Sequence, residues 1–102
     1  MFQKNKRLED PDLLKTYHLK PCIICNRLPS DPAHIKTVKS GGPDAAWNLL
    51  PFCRKHHSMQ HAQGFIKMFD LYPHLFKIME SMGWRVQRDK FGSRLVNVLF
   101  KV

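Results

Sequence analysis

At 102 residues and 12.0 kDa the chain suits one domain with a modest core, and it is too short for a multidomain arrangement. Seventeen Lys and Arg against eight Asp and Glu give a formal net charge of +9, which points to a polyanion, nucleic acid first, as partner. No apolar run approaches the roughly 20 residues of a membrane span, and no basic amphipathic helix with a long apolar face suits an anionic membrane.

The start, from Met1 to Arg7, is polar and basic, without a secretory pattern. Residues 1–8 read as a frayed basic arm. Asp10-Pro11-Asp12 then opens a helix: Asp10 caps it, Pro11 suits the first helical position, and Asp12 complements the dipole. This helix is expected to run to about His18, to bury Leu13, Leu14 and Tyr17, and to end before Pro21. Residues 26–33 read as loop, residues 33–38 as a short strand, and Ser40-Gly41-Gly42-Pro43-Asp44 as a turn.

Residues 47–52 read as a second strand, limited to an edge by Pro51. A helix is expected from Arg54 to about Gln63, with Gly64 as its stop. Two short helices follow, over about 65–71 and from Pro73 to about Met82, with Gly83 closing the second. Residues 84–88 and 94–100 predict a hairpin around Asp89-Lys90-Phe91-Gly92-Ser93. The expected fold class is therefore α+β: one domain over 1–102, with a core at 10–70 and a helix-plus-hairpin extension at 71–102.

Cys22-Ile23-Ile24-Cys25 and Cys53-Arg54-Lys55-His56 have the spacing of two metal-knuckle halves. Two-residue spacers let both ligands of each half reach one ion while backbone N–H groups face the sulfurs. Cys22, Cys25, Cys53 and His56 thus predict a closed tetrahedral Zn²⁺ site, which is structural because no open position is left for a substrate. All three cysteines are consumed by it. The odd count argues against a disulfide framework and predicts a reducing, cytoplasmic compartment.

His57 and His61 lie four apart on the expected helix, hence on one face, with His56 turned about 100° from His57. Such a pair is a two-point holder for a divalent ion. His34 and Asn48 fall between the two knuckle halves.

Taken together, Ala33-His34-Ile35, Gly41-Gly42, Trp47-Asn48-Leu49-Leu50-Pro51-Phe52-Cys53-Arg54-Lys55-His56-His57 and His61 resemble the HNH endonucleases. The closest likeness is to the zinc-stapled variants of phage and prophage genomes, whose Cys-x-x-Cys precedes the first strand. The resemblance covers about residues 10–70, and the Asp10-Pro11-Asp12-Leu13-Leu14 entry is similar too.

It implies a ββα-metal core and metal-dependent hydrolysis of DNA phosphodiester bonds in a bacterial host cell. His34 takes the place of the general base that activates water. Asn48 takes that of the asparagine bracing the loop, and His57 that of a ligand to the catalytic divalent ion. His61 matches an extra ligand histidine of some members. Many members carry a metal-binding Asp or His directly before the base, where this chain has Ala33. Asp31, Asp44 or water, or His34 itself, are then the candidates for the third ligand.

A neutral imidazole suits a base at physiological pH, and a divalent ion stabilises the leaving alkoxide. Mn²⁺, Ni²⁺ and Zn²⁺ suit histidine ligation alongside Mg²⁺. Lys36, Lys39, Arg54 and Lys55 are placed to hold the phosphate backbone. The alternative from another class is a non-catalytic zinc-ribbon module binding DNA or RNA. A third reading is a zinc-bound interaction module docked on a nucleic-acid machine. Surplus chemistry favours the enzyme, because the zinc site is complete without His34, His57 and His61. Nothing in the sequence sets an oligomeric state.

Overall fold

The computed structural model describes residues 7–100. The chain is α+β, and the described residues form four α-helices and two two-stranded antiparallel sheets. It divides into two compact units, one ending at His57 and the other beginning at Ser58. No described helix is long and apolar enough to cross a membrane.

In the first unit, α1 spans Pro11–Tyr17. Asp10 caps it as expected, its Oδ1 accepting from the Leu13 amide at 3.0 Å, with Pro11 at the first position. Tyr17 is buried, whereas Leu13 and Leu14 are only half-buried, so α1 lends the core less apolar surface than its pattern predicted.

Strand β1 is Asp31–His34 and β2 is Leu49–Phe52. They pair antiparallel in the register Asp31 to Phe52, Pro32 to Pro51, Ala33 to Leu50 and His34 to Leu49. Two prolines facing each other are tolerated because each strand of a two-stranded sheet is an edge. The apolar Ala33, Leu49, Leu50 and Phe52 are almost fully buried.

Both strand expectations need correction. The first strand starts earlier than residue 33 and stops at His34 rather than at 38. It stops there because the Asn48 side chain takes over the backbone of Lys36, and Thr37 then opens a 3₁₀ turn over Val38–Ser40. The second strand loses its first two residues to another 3₁₀ turn, Ala46–Asn48.

Helix α2 covers Arg54–Gln63, as expected, and Gly64 ends it with φ at 80°. In the second unit, α3 is Phe65–Leu71 and α4 is Pro73–Ser81. Their aromatic faces meet where Phe69 and Phe76 pack edge-to-face, centroids 5.0 Å apart.

The hairpin pairs β3, Trp84–Asp89, with β4, Gly92–Asn97. Trp84 is buried opposite Asn97, whose side chain is also buried. The strand expected to reach residue 100 ends at Asn97 because the Oδ1 of Asn97 accepts the amides of Leu99 and Phe100, each at 3.0 Å. That bends the chain out of the ladder and leaves Val98 and Leu99 exposed.

Candidate metal centre and the His34 site

The first knuckle turns at Asn26, in the left-handed region with φ at 66°, which asparagine tolerates better than most residues. The Asn26 amide donates to the Cys22 carbonyl at 2.8 Å and the Cys22 amide to the Arg27 carbonyl at 2.9 Å, closing the turn. Ile23 donates to the Pro51 carbonyl at 2.9 Å, which fastens this knuckle to β2. Cys53 follows β2 directly, and His56 sits on the first turn of α2.

The ligand atoms of Cys22, Cys25, Cys53 and His56 all lie within 4.8 Å of one another. Cys22 Sγ is 3.6 Å from His56 Nδ1, Cys25 Sγ 3.6 Å from Cys53 Sγ, and Cys53 Sγ 3.2 Å from His56 Nδ1. A tetrahedron with Zn–S of about 2.3 Å and Zn–N of about 2.0–2.1 Å has edges of about 3.5–3.8 Å. The four residues fit that ion, with His56 presenting Nδ1.

The electrostatics agree with metal ligation. Burial raises the Cys22 thiol pKa, but the amide groups of Cys53, Cys25 and Ile24 directed at its sulfur outweigh that and leave it lowered. Burial pushes the Cys53 thiol up, and the neighbouring sulfurs add to the rise. A bound cation reverses that preference, since a coordinating thiol is deprotonated. Burial, together with Lys55 and Arg27, lowers the His56 pKa and keeps the imidazole neutral, the form that ligates. Arg27 was not singled out in the sequence. It joins Arg54, Lys55 and Asp31 around an open cleft of about 280 Å³ beside Cys53.

The second constellation is built around the loop between β1 and β2. Asn48 is fully buried, and its side chain makes three hydrogen bonds. Oδ1 accepts the Lys36 amide at 2.7 Å, while Nδ2 donates to the Lys36 carbonyl at 3.1 Å and the Pro43 carbonyl at 3.0 Å. The Ile35 amide adds a bond to the Asn48 carbonyl at 2.9 Å. Gly42 passes so close to Lys36 that a Cβ there would overlap the Lys36 carbonyl, which explains the glycine.

His34 ends β1 with its side chain 15% exposed. Its Nε2 lies 2.7 Å from Asp44 Oδ1. Asp44 is 2% exposed and accepts in addition from Arg7 Nη1 at 2.5 Å and from the Asp10 amide at 2.9 Å. Burial raises the Asp44 pKa, but the hydrogen bonds from His34, Asp10 and Arg7 and the Arg7 charge outweigh it and hold it at about 2.

Arg7 also donates to the Gly42 carbonyl at 3.2 Å, and the Asp44 amide donates to the Leu8 carbonyl at 2.9 Å. The end of the expected frayed arm is thus fastened to the loop. Residues 1–6, the rest of that arm, lie outside the described residues.

The two carboxylates raised as third metal ligands part company. Asp44 goes to His34, whereas Asp31 Oδ2 lies 3.1 Å from His57 Nδ1 and 3.2 Å from Arg54 Nε. His57 is half-buried, and His61 is exposed one turn further along α2. Lys36 is half-buried, and Lys39, Arg54 and Lys55 are exposed. Ala33, in the position where a ligand was expected by resemblance, is fully buried.

No family model matches the chain, and no curated protein or solved structure is significantly similar to it.

Proposed function

We propose that the chain is a metal-dependent endonuclease of the HNH type that hydrolyses DNA phosphodiester bonds, with a structural zinc on Cys22, Cys25, Cys53 and His56. The observation that carries this reading is the triple hydrogen bonding of Asn48, which clamps the loop running on from His34. A loop-bracing asparagine is what the motif requires between its first and last histidines.

In this reading His34 is the general base. It takes a proton from the attacking water, whose oxygen bonds to phosphorus as the P–O3′ bond breaks. The departing 3′-oxygen takes its proton from solvent. A neutral imidazole is matched to that task near pH 7. His57 and His61 would hold the catalytic divalent ion, which would neutralise phosphate charge. Asp31, whose Oδ2 lies 3.1 Å from His57 Nδ1, would be the oxygen donor that Ala33 cannot be. Lys39, Arg54 and Lys55, all exposed, track the phosphate backbone. The charge of +9 suits DNA as partner, and the reducing cytoplasm of a bacterial host suits the three thiolates.

The second reading is a non-catalytic zinc-ribbon module that binds nucleic acid. It is favoured by one observation: among the described residues, the Cys₃His cluster is the only group of three or more metal-ligating side chains brought together. Nicking of supercoiled plasmid separates the two. The nuclease reading expects relaxation that needs Mg²⁺ or Mn²⁺ and stops with chelator. Plasmid binding without nicking in any divalent ion selects the module.

A further inference from the structure

We propose that Asp44 is a positioning residue for His34: its carboxylate fixes the imidazole as the Nε2–H tautomer and leaves Nδ1 as the basic nitrogen. The inference rests on the nuclease reading for its catalytic consequence, but its structural half stands without it. Nothing in the sequence motif requires an acid ten residues after the base, and the sequence offers Asp44 only as a turn residue or a candidate metal ligand.

The geometry carries the argument. His34 Nε2 and Asp44 Oδ1 are 2.7 Å apart, a short charge-assisted bond. An ionised carboxylate only accepts, so the nitrogen facing it carries the hydrogen. Asp44 stays ionised at neutral pH because Arg7 and the Asp10 amide also hold it. With Nε2 committed, only Nδ1 retains a lone pair. The same buried carboxylate then stabilises the imidazolium formed when Nδ1 takes the water's proton. Arg7 reaches both Asp44 and the Gly42 carbonyl, so it fixes the acid to the loop that Asn48 braces.

Asp44→Asn is the informative change. An amide has one acceptor, and both carboxylate oxygens are in use. If its oxygen keeps the Asp10 amide, its N–H₂ replaces Oδ1 and donates to Nε2, so the ring turns to the Nδ1–H tautomer. In the reverse orientation the N–H₂ opposes the Asp10 amide. Either arrangement breaks part of the network, and the first silences the base.

The test is ¹⁵N NMR of the zinc-loaded full chain near pH 7.5, with ring nitrogens assigned by long-range proton correlation, alongside plasmid nicking. The wild-type His34 is expected as Nε2–H, and an Nδ1–H ring there overturns the proposal even if Asp44→Asn fails to fold. Asp44→Asn is expected to move His34 toward Nδ1–H and to lower nicking on the order of 10²–10⁴-fold with zinc content kept. A folded Asp44→Asn protein with an unchanged ring and wild-type nicking also overturns it. Arg7→Gln, which leaves the carboxylate, is expected to keep the Nε2–H ring. Should the wild type not nick at all, the nuclease reading falls, while the spectra still decide whether Asp44 sets the tautomer.

Discussion

Asn48 satisfies both backbone polar groups of Lys36, accepting from its amide at 2.7 Å and donating to its carbonyl at 3.1 Å. A side chain thereby does what a β-strand partner would do, at the point where β1 stops. The loop that leaves the hairpin stays fixed without a ladder, and His34 is anchored just before it.

Replacing Asn48 by Ala removes all three bonds and leaves part-buried backbone groups of Lys36 and Pro43 without that partner. The expected loss is on the order of 3 kcal/mol of stability, read as a lower urea midpoint with an unchanged slope. Nicking should fall as well, because His34 loses its fixed loop. A midpoint within experimental error of the wild type would show that water replaces the side chain at no cost.

Zinc is expected at one per chain, held by Cys22, Cys25, Cys53 and His56. Because metal binding is part of the folding free energy, Cys22→Ala or Cys53→Ala should abolish the cooperative melt. Elemental analysis and calorimetry check this. Zinc-free protein that melts like the native form would remove the clamp from the account.

The pH dependence follows from His56. Burial, Lys55 and Arg27 lower its pKa from the ordinary 6.5, so the unfolded chain binds the proton more readily. Its contribution is complete above about pH 6.5 and is lost as pH falls below that value. Zinc retention should follow the same course, since a protonated imidazole cannot ligate. Asp44, held at about 2, contributes stability that is present above its ordinary 3.8 and lost as pH falls toward 2. Asp44 should thus stay ionised, and the stability difference between wild type and Asp44→Asn should persist, throughout the range above about pH 6.5 in which His56 holds zinc. Zinc release followed with a chromogenic chelator, and urea melts of both proteins across that range, check the two statements.

Binding to DNA should be steep in salt, given a net charge of +9 on 102 residues. Log affinity is expected to fall linearly with log salt, losing on the order of tenfold or more between about 50 and 200 mM. Lys55→Ala should flatten the slope by about one contact if Lys55 touches phosphate. Affinity by fluorescence anisotropy that ignores salt would contradict backbone tracking.

The Cys₃His cluster was legible because its spacing lies in the sequence: Cys-x-x-Cys and Cys-x-x-His need only one hairpin to meet. Helices α1 to α4 were legible from Asp10, Pro11, Gly64, Pro73 and Gly83, residues that start or stop helices by local chemistry. The strand ends were not, because Asn48 and Asn97 end them with side-chain bonds to residues distant in sequence or just beyond the strand. Arg7 and the pairing of Asp44 with His34 were missed for a related reason, Asp44 having been raised only as one candidate for the third metal ligand. An Asp after Gly-Gly-Pro reads as a turn residue, and an Arg in a basic run reads as solvated. Only the fold brings them together, 37 positions apart, beside His34. Asp31 was raised as one of several possible ligands, and only the ladder placing it opposite Phe52, just before Cys53 and α2, singles it out for His57.

The central claim is that His34 activates water for phosphodiester hydrolysis. It is tested most directly by comparing wild type and His34→Ala, purified in parallel free of host nuclease, for Mn²⁺-dependent nicking of supercoiled plasmid. The account predicts a loss on the order of 10²–10⁴ in rate, with zinc content, a cooperative melt and DNA affinity retained. Equal nicking by the two proteins would contradict it.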